Sequence, residues 1–328
     1  MKICFITDGG RQIGMGHVQQ STTLARELRA KADVTFLTKS DAIVLTAIQE
    51  SGFEATGFRN DAEILDHLTT LDPDIIIFDK IDVEEKLAKD IRRTLKASLV
   101  IFTNLTKANK YADIAVIAGI GSELKNVTYT DSDTNTRYYY GPRYWVLRPE
   151  FHEYKSKGKI SFSESKQVLV IFGGSDPSNL TSAVLEELLS MDRTLRIDAI
   201  LGAHFSHGDS VNRVLERYVG TKTKVLVHKN TKNVPELMYK ANLTIASPGL
   251  SAFESLCVGT PVIVMPQNDM QRTYRGFMRM LERCDLGKLA GMMEREDFTF
   301  PHERHIIEME IGDGVQELIG EILNSAKK

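Results

Sequence analysis

Cysteine is scarce: Cys4, Cys257 and Cys284 are the only thiols in 328 residues, with neither pairing arithmetic nor metal-ligand spacing. An odd, scattered set argues against a disulfide framework and suits a reducing compartment, so a cytoplasmic location is expected. Charge of one sign is lacking too. Lys and Arg number 41 against 44 Asp and Glu, a net charge of -3, which offers no electrostatic attraction for nucleic acid or an anionic membrane. No apolar run approaches the roughly 20 residues that span a bilayer, so no transmembrane segment is expected. The short apolar run in MKICFITDGG is not that of a signal peptide. Heptads, short repeats and low-complexity tracts are missing. His204, His207 and Asp209 read as a solvated loop, and His302 and His305 have no carboxylate or thiol at ligand spacing. Neither a catalytic metal nor a cofactor is expected.

What is present is a hydrophobic fraction of 42% in a chain long enough for two cores. Residues 2–7 read as a strand, 8–16 as a glycine-rich loop, and 17–30 as a helix with Leu24, Ala25 and Leu28 at helical spacing. Strands follow at 34–37, 75–78 (ending in Asp79), 99–102 and 114–117. The polar, turn-rich stretch 119–135 predicts a loop or flap. Aromatics crowd 138–151, and SKGKISFSESK reads as a linker. Alternation then resumes, with strands at 168–172, 197–201, 225–227, 243–245 and 262–265. The expected fold is α/β: two Rossmann-like parallel-sheet domains facing a cleft. Their boundaries are 1–146 and 147–311, followed by a C-terminal helix over 312–328 carrying Val315, Leu318, Ile319, Ile322 and Leu323.

Three stretches can carry chemistry. Gly14-Met15-Gly16-His17 ends the first loop, where two glycines allow close backbone approach and a helix N-terminus favours anions. Gln19 stands where a dinucleotide fingerprint needs its third glycine, so NAD is not expected. The positive helix end disfavours imidazolium, which would keep His17 a neutral base, although a lone histidine also serves structure. Gly173-Gly174-Ser175-Asp176 follows the first strand of the second half and can cradle a phosphate; equally, Ser175 or Asp176 can cap the next helix. Ser247-Pro248-Gly249 repeats that geometry. Beyond it, Glu254 falls in the first helical turn, where a carboxylate can accept both ribose hydroxyls. Ser251 and Glu254 are also three apart, which satisfies a capping box. In Gln267-Asn268-Asp269-Met270-Gln271, carboxamides can bind sugar hydroxyls, or Asp269 can cap a helix.

With these residues in view, the chain resembles the family of the UDP-2,4-diacetamido-2,4,6-trideoxy-β-L-altropyranose hydrolase of pseudaminic acid synthesis and the spore-coat polysaccharide proteins. That family has the GT-B architecture, with the peptidoglycan UDP-GlcNAc transferase more distant. The likeness rests on Asp8, Gln12 to His17 with Leu24-Ala25, Asp79, the segment 141–151 with Leu147-Arg148-x-Glu150-Phe151, Gly173 to Asp176 with Asn179-Leu180, and Ser247, Ser251, Glu254 and Asn268. It implies that Glu254 binds ribose, that Gly173 to Asp176 form the diphosphate loop, that His17 activates water, and that Asn268 lies on the substrate side. Asp8, Gly14, Gly16, Asp79, Ser247, Gly249, Ser251 and Gln271 complete the expected substrate site. The chain departs from the family where Lys80-Ile81 replaces His-Tyr after Asp79, and where Thr103-Asn104-Leu105 replaces an acidic pair.

The activity so implied is metal-independent, inverting hydrolysis of a UDP-activated amino or deoxy sugar, with His17 as base and the diphosphate leaving without a general acid. The alternatives are a glycosyltransferase using the same donor and a non-catalytic nucleotide-sugar-binding protein. The UDP-sugar is the expected partner; weak self-association is the one oligomeric expectation.

Overall fold

The computed structural model describes residues 1–10, 13–39, 41–102, 105–119, 126–157, 167–191, 193–272, 282–293 and 309–326. The chain divides into two compact units, Met1–Val146 with Met309–Lys328, and Leu147–Glu308. Gln12, Thr103, Asn104, His302, His305 and most of the expected linker lie outside the described residues.

The first unit alternates β1 (Lys2–Thr7), α1 (Gly16–Leu28), β2 (Asp33–Lys39), α2 (Ala42–Glu50), β3 (Glu54–Phe58), α3 (Ala62–Leu71), β4 (Ile75–Asp79), α4 (Glu85–Thr94), β5 (Ser98–Phe102), β6 (Ile114–Ile117), β7 (Val127–Thr130) and β8 (Arg137–Tyr140). Its sheet runs β3-β2-β1-β4-β5-β6-β8-β7, with only β7 antiparallel. β4 and β5 are buried along their whole length, as strands covered on both faces must be. Three strands differ from expectation. β3 (EATGF) is polar and holds a glycine, so it lacks a buried run. The hairpin β7–β8 occupies part of the expected loop: Tyr129 stacks on Tyr138 and Tyr140 at 5.1 and 5.9 Å. Asp131 Oδ1 closes its turn by accepting from the amides of Asp133 and Thr134.

The C-terminal helix Val315–Ser325 buries Leu318, Ile319, Ile322 and Leu323 in the first unit's core beside Ile3, Phe5 and Val100. Ser98 Oγ donates to Ser325 Oγ at 2.7 Å, and Arg137 pairs with Glu321. The chain's end therefore belongs with its beginning.

The second unit holds α5 (Pro149–Ser156), β9 (Gln167–Ile171), α6 (Leu180–Ser190), β10 (Arg196–Leu201), α7 (Gly208–Arg217), β11 (Lys224–Lys229), α8 (Val234–Lys240), β12 (Leu243–Ala246), α9 (Leu250–Cys257), β13 (Val262–Val264), α10 (Asp269–Arg272), β14 (Glu282–Arg283) and a short helix, Leu289–Met293. Its sheet is parallel throughout, in the order β11-β10-β9-β12-β13-β14. Counted within each unit, six strands run 3-2-1-4-5-6. The order reverses between β1 and β4, and between β9 and β12. At such a reversal adjacent loops diverge to opposite faces, and ligands bind outside the strands' carboxyl ends. No described helix is long and apolar enough to cross a membrane.

Candidate functional site

Each reversal gathers polar residues. In the first unit Thr7 lies opposite Asp79 in the parallel register of β1 and β4. The loop after β1 folds on itself, Gly10 and Gly14 exchanging backbone hydrogen bonds at 3.1 and 2.9 Å. Both have positive φ (132° and 81°), and a Cβ on Gly10 would sit 2.9 Å from Asp41 Oδ2. The loop delivers α1 at Gly16, so His17 stands in the first turn. Its Nδ1 lies 2.7 Å from Asp79 Oδ1. Asp79 Oδ2 accepts from Gln20 Nε2 at 3.1 Å and Ser21 Oγ at 2.9 Å. A carboxylate only accepts, so Nδ1 carries the proton and Nε2 the lone pair.

Two expectations change here. Asp79, 2% exposed, was placed among the substrate ligands; its oxygens instead hold three side chains of α1, so it positions His17. The helix end was also expected to keep His17 neutral. Burial does pull its pKa down, but the charge and hydrogen bond of Asp79 and the charge of Asp8 outweigh it, and the pKa lies above 6.5. Gln20, Ser21 and Lys80 were not anticipated. Lys80, at the family-divergent position, is buried and paired with Asp61 and Asp8. Among the described residues, a Cβ on Gly14 or Gly16 would meet nothing within 4 Å.

In the second unit Gly173 (φ 77°), Gly174 and Ser175 follow β9. Their backbone lies against Gly202, where a Cβ would stand 2.4 Å from the Gly174 carbonyl oxygen and 2.5 Å from that of Gly173. Gly202→Ala is therefore expected to displace this loop at a cost of about 1–3 kcal/mol, read as a lower urea midpoint at unchanged slope. Asp176 is not free for a ligand as expected. It is 2% exposed, and its oxygens accept from the Leu180 and Thr181 amides at 2.9 and 2.8 Å. The start of α6 is thereby already neutralised.

The start of α9 is different. Gly249 is its N-cap, no side chain caps it, and its first turn carries no acid. The capping box Ser251–Glu254 does not form. Glu254 lies beyond the first turn, 3% exposed, with Oε1 accepting from Arg148 Nε and Nη2 at 3.1 Å each. Arg148 also lies 4.7 Å over the Phe151 ring. Burial raises the Glu254 pKa above the ordinary carboxylate range against the opposing charge of Arg148, with Glu150 adding to the rise. The amides at the start of α9 thus carry no side-chain cap, an arrangement that can accept an anion, with Ser247 buried just before it and Ser251 half-buried.

The loop after β13 is more self-contained than expected. Asn268 Oδ1, not Asp269, accepts from the Gln271 amide (2.9 Å), and Gln271 Oε1 accepts from the Gln267 amide (2.7 Å). Gln267, one of the carboxamides the motif offered to sugar hydroxyls, donates Nε2 to the Phe172 carbonyl at 3.1 Å and so ties this loop to the end of β9. Among the described residues no three His, Cys, Asp or Glu are grouped to hold a metal ion.

No family model matches the chain. It is 41% identical over 330 residues to the uncharacterized protein MJ1062 of Methanocaldococcus jannaschii, covering 99% of this chain and 66% of that one, so it spans just under two thirds of that relative. It is 28% identical to the spore coat polysaccharide biosynthesis protein SpsG of Bacillus subtilis, covering 93% of this chain and 88% of SpsG. Among solved structures it resembles MurG of Acinetobacter baumannii (TM-score 0.65, 12% identity, 99% of this chain and 100% of that one). It also resembles Anabaena HepE in complex with UDP-glucose (TM-score 0.51, 13% identity, 100% and 98%). The chain has the GT-B fold.

Proposed function

We propose that the chain is a GT-B enzyme that transfers a sugar from a UDP-activated donor to an acceptor hydroxyl in polysaccharide or surface-sugar biosynthesis. The carrying observation is the His17–Asp79 pair at the β1/β4 reversal, whose available nitrogen is Nε2. In this reading Nε2 takes the proton from the attacking oxygen as the anomeric C–O bond breaks. The UDP leaving group needs no general acid, because backbone amides hold its charge. The uncapped start of α9, from Gly249 to Ser251, and the Gly173–Ser175 loop supply those amides. Glu254 accepts from the ribose hydroxyls, and Asp8 lies on the sugar side.

The fold neighbours favour transfer over the hydrolysis first expected from the resemblance. Hydrolysis remains the second reading, because the residues around His17 are among those that resemble the hydrolase family, and a base that activates an alcohol activates water as well. UDP release from a panel of UDP-sugars, with and without an acceptor alcohol, separates the two. Release only with acceptor supports transfer, and prompt release without it supports hydrolysis. UDP binding with release in neither case would leave a nucleotide-sugar-binding protein.

Arg148→Met tests the ribose assignment. It removes the cation that opposes protonation of buried Glu254, so UDP affinity at pH 7 is expected to fall about tenfold or more. The loss shrinks as pH rises and Glu254 ionises. A loss independent of pH, or none, would detach Glu254 from the ribose.

A further inference from the structure

Lys80 sits where an ammonium group is expensive to keep. It lies one residue past β4, 3% exposed, with Nζ 5.6 Å from the centre of the Phe58 ring. A buried lysine persists only when paired. Its partners are Asp61 Oδ2 at 2.9 Å and Asp8 Oδ2 at 3.4 Å. Lys39 Nζ approaches the same Asp8 oxygen at 3.9 Å. Both cations therefore address Oδ2, while Asp8 Oδ1 is buried with no partner among the described residues.

The surroundings are built for this arrangement. Asp61 occupies the N-cap of α3, where an aspartate normally accepts from a helix amide. It makes no such bond and turns to Lys80, leaving its own Oδ1 without a partner among the described residues. Thr7 and Thr38, fully buried at the ends of β1 and β2, also have hydroxyl oxygens without partners among the described residues. A buried carboxylate oxygen left unpaired destabilises the fold, so one that persists calls for a ligand or a water. Asp8 lies one residue past β1, Lys80 one past β4, at the reversal that carries the His17–Asp79 pair. The charge of Asp8 acts on His17 directly.

We propose that Lys80 is a specificity-determining positioning residue: it turns Asp8 so that Oδ1 accepts a hydrogen bond from a donor on the transferred sugar, a hydroxyl or an amide N–H. Sugars carrying hydrogen or fluorine at that position are rejected, because they leave the oxygen unpaired. This inference rests on the nucleotide-sugar reading of the chain.

The test is a set of dissociation constants for free UDP, UDP-glucose, UDP-N-acetylglucosamine and UDP-glucose analogues with one hydroxyl replaced by hydrogen or fluorine. In the wild-type chain one replacement is expected to weaken binding about 10- to 100-fold, the range for a hydrogen bond to a charged group. The glucose and N-acetylglucosamine arms then separate hydroxyl from amide donors. Lys80→Met is expected to level that difference and Lys80→Arg to keep it, with free UDP binding as in the wild type. Asp8→Asn checks the same point without touching the cation. Its carbonyl oxygen stays toward the lysines and its amide replaces Oδ1, so the preferred donor sugar becomes a disfavoured one. A wild-type series flat within about threefold, which a resident water would give, overturns the inference. So does a Lys80→Met ranking identical to the wild type. Failure of the wild-type chain to bind UDP at all overturns the nucleotide-sugar reading, and this inference with it.

Discussion

Replacing His17 by Asn is expected to lower kcat about 10²–10⁴-fold, the usual contribution of a placed general base, while the dissociation constant for UDP stays within about twofold. Asn is the informative substitution because its Nδ2 lies near the position of the imidazole Nδ1 and can still donate to Asp79. The buried carboxylate thus keeps a partner, and only Nε2 is lost. A folded variant with undiminished turnover would show that the proton leaves by another route. Weakened UDP binding would instead place His17 against the nucleotide. Calorimetry on the variant and single-turnover UDP release measure the two quantities separately.

The sheet was legible wherever a strand is buried on both faces. Residues 75–78 and 99–102 read as continuous apolar runs, and the strands that contain them, Ile75–Asp79 and Ser98–Phe102, are fully buried. At the margins of the first sheet strands were not legible, because their stabilisation comes from across the sheet. β3 contains Thr56 and Gly57 and draws its order from pairing with β2. β7 is exposed along its length and held by tyrosines that follow it in the chain. The site divides in the same way. Local spacing marked His17, the Gly173–Ser175 loop and Gly249. It could not choose between ligand and cap at Asp176 or Glu254, since one short pattern serves both. Only the cap is decided in three dimensions: Asp176 turns onto the amides of α6, whereas Glu254 caps nothing and pairs with Arg148, 106 positions away. The Lys80 cluster has no local signal at all, because its members come from the ends of four different elements.

That contrast also selects between the two helix starts of the second unit. α6 already carries a buried carboxylate at its positive end, and a diphosphate there would meet like charge. α9 begins on a glycine with no capping side chain, which suits the diphosphate role proposed for its first amides. A Cβ on Gly249 would meet nothing within 4 Å, leaving room for a ligand to approach the backbone.

Asp79→Asn should cost nearly as much activity as removing the base, and the hydrogen-bond network says why. Gln20 Nε2 and Ser21 Oγ both donate to Oδ2, so an asparagine must turn its carbonyl oxygen toward them. Its amide then faces His17 and donates to Nδ1, which moves the ring proton to Nε2. The nitrogen that must accept a proton now carries one. A wrong tautomer of this kind reduces turnover by about 10⁴-fold in the serine protease triad, and a loss on the order of 10²–10⁴-fold is expected here. The pH dependence supplies a second signature. In the wild-type chain kcat/KM should rise with pH through a His17 pKa above 6.5 and level off once the ring is neutral. Loss of the Asp79 charge removes the main contribution that raises this pKa and leaves burial, which lowers it. The rising limb therefore moves to lower pH while the plateau falls. An Asp79→Asn profile with the wild-type limb and plateau would mean that the carboxylate neither orients nor charges the imidazole, and the dyad would lose its mechanistic role.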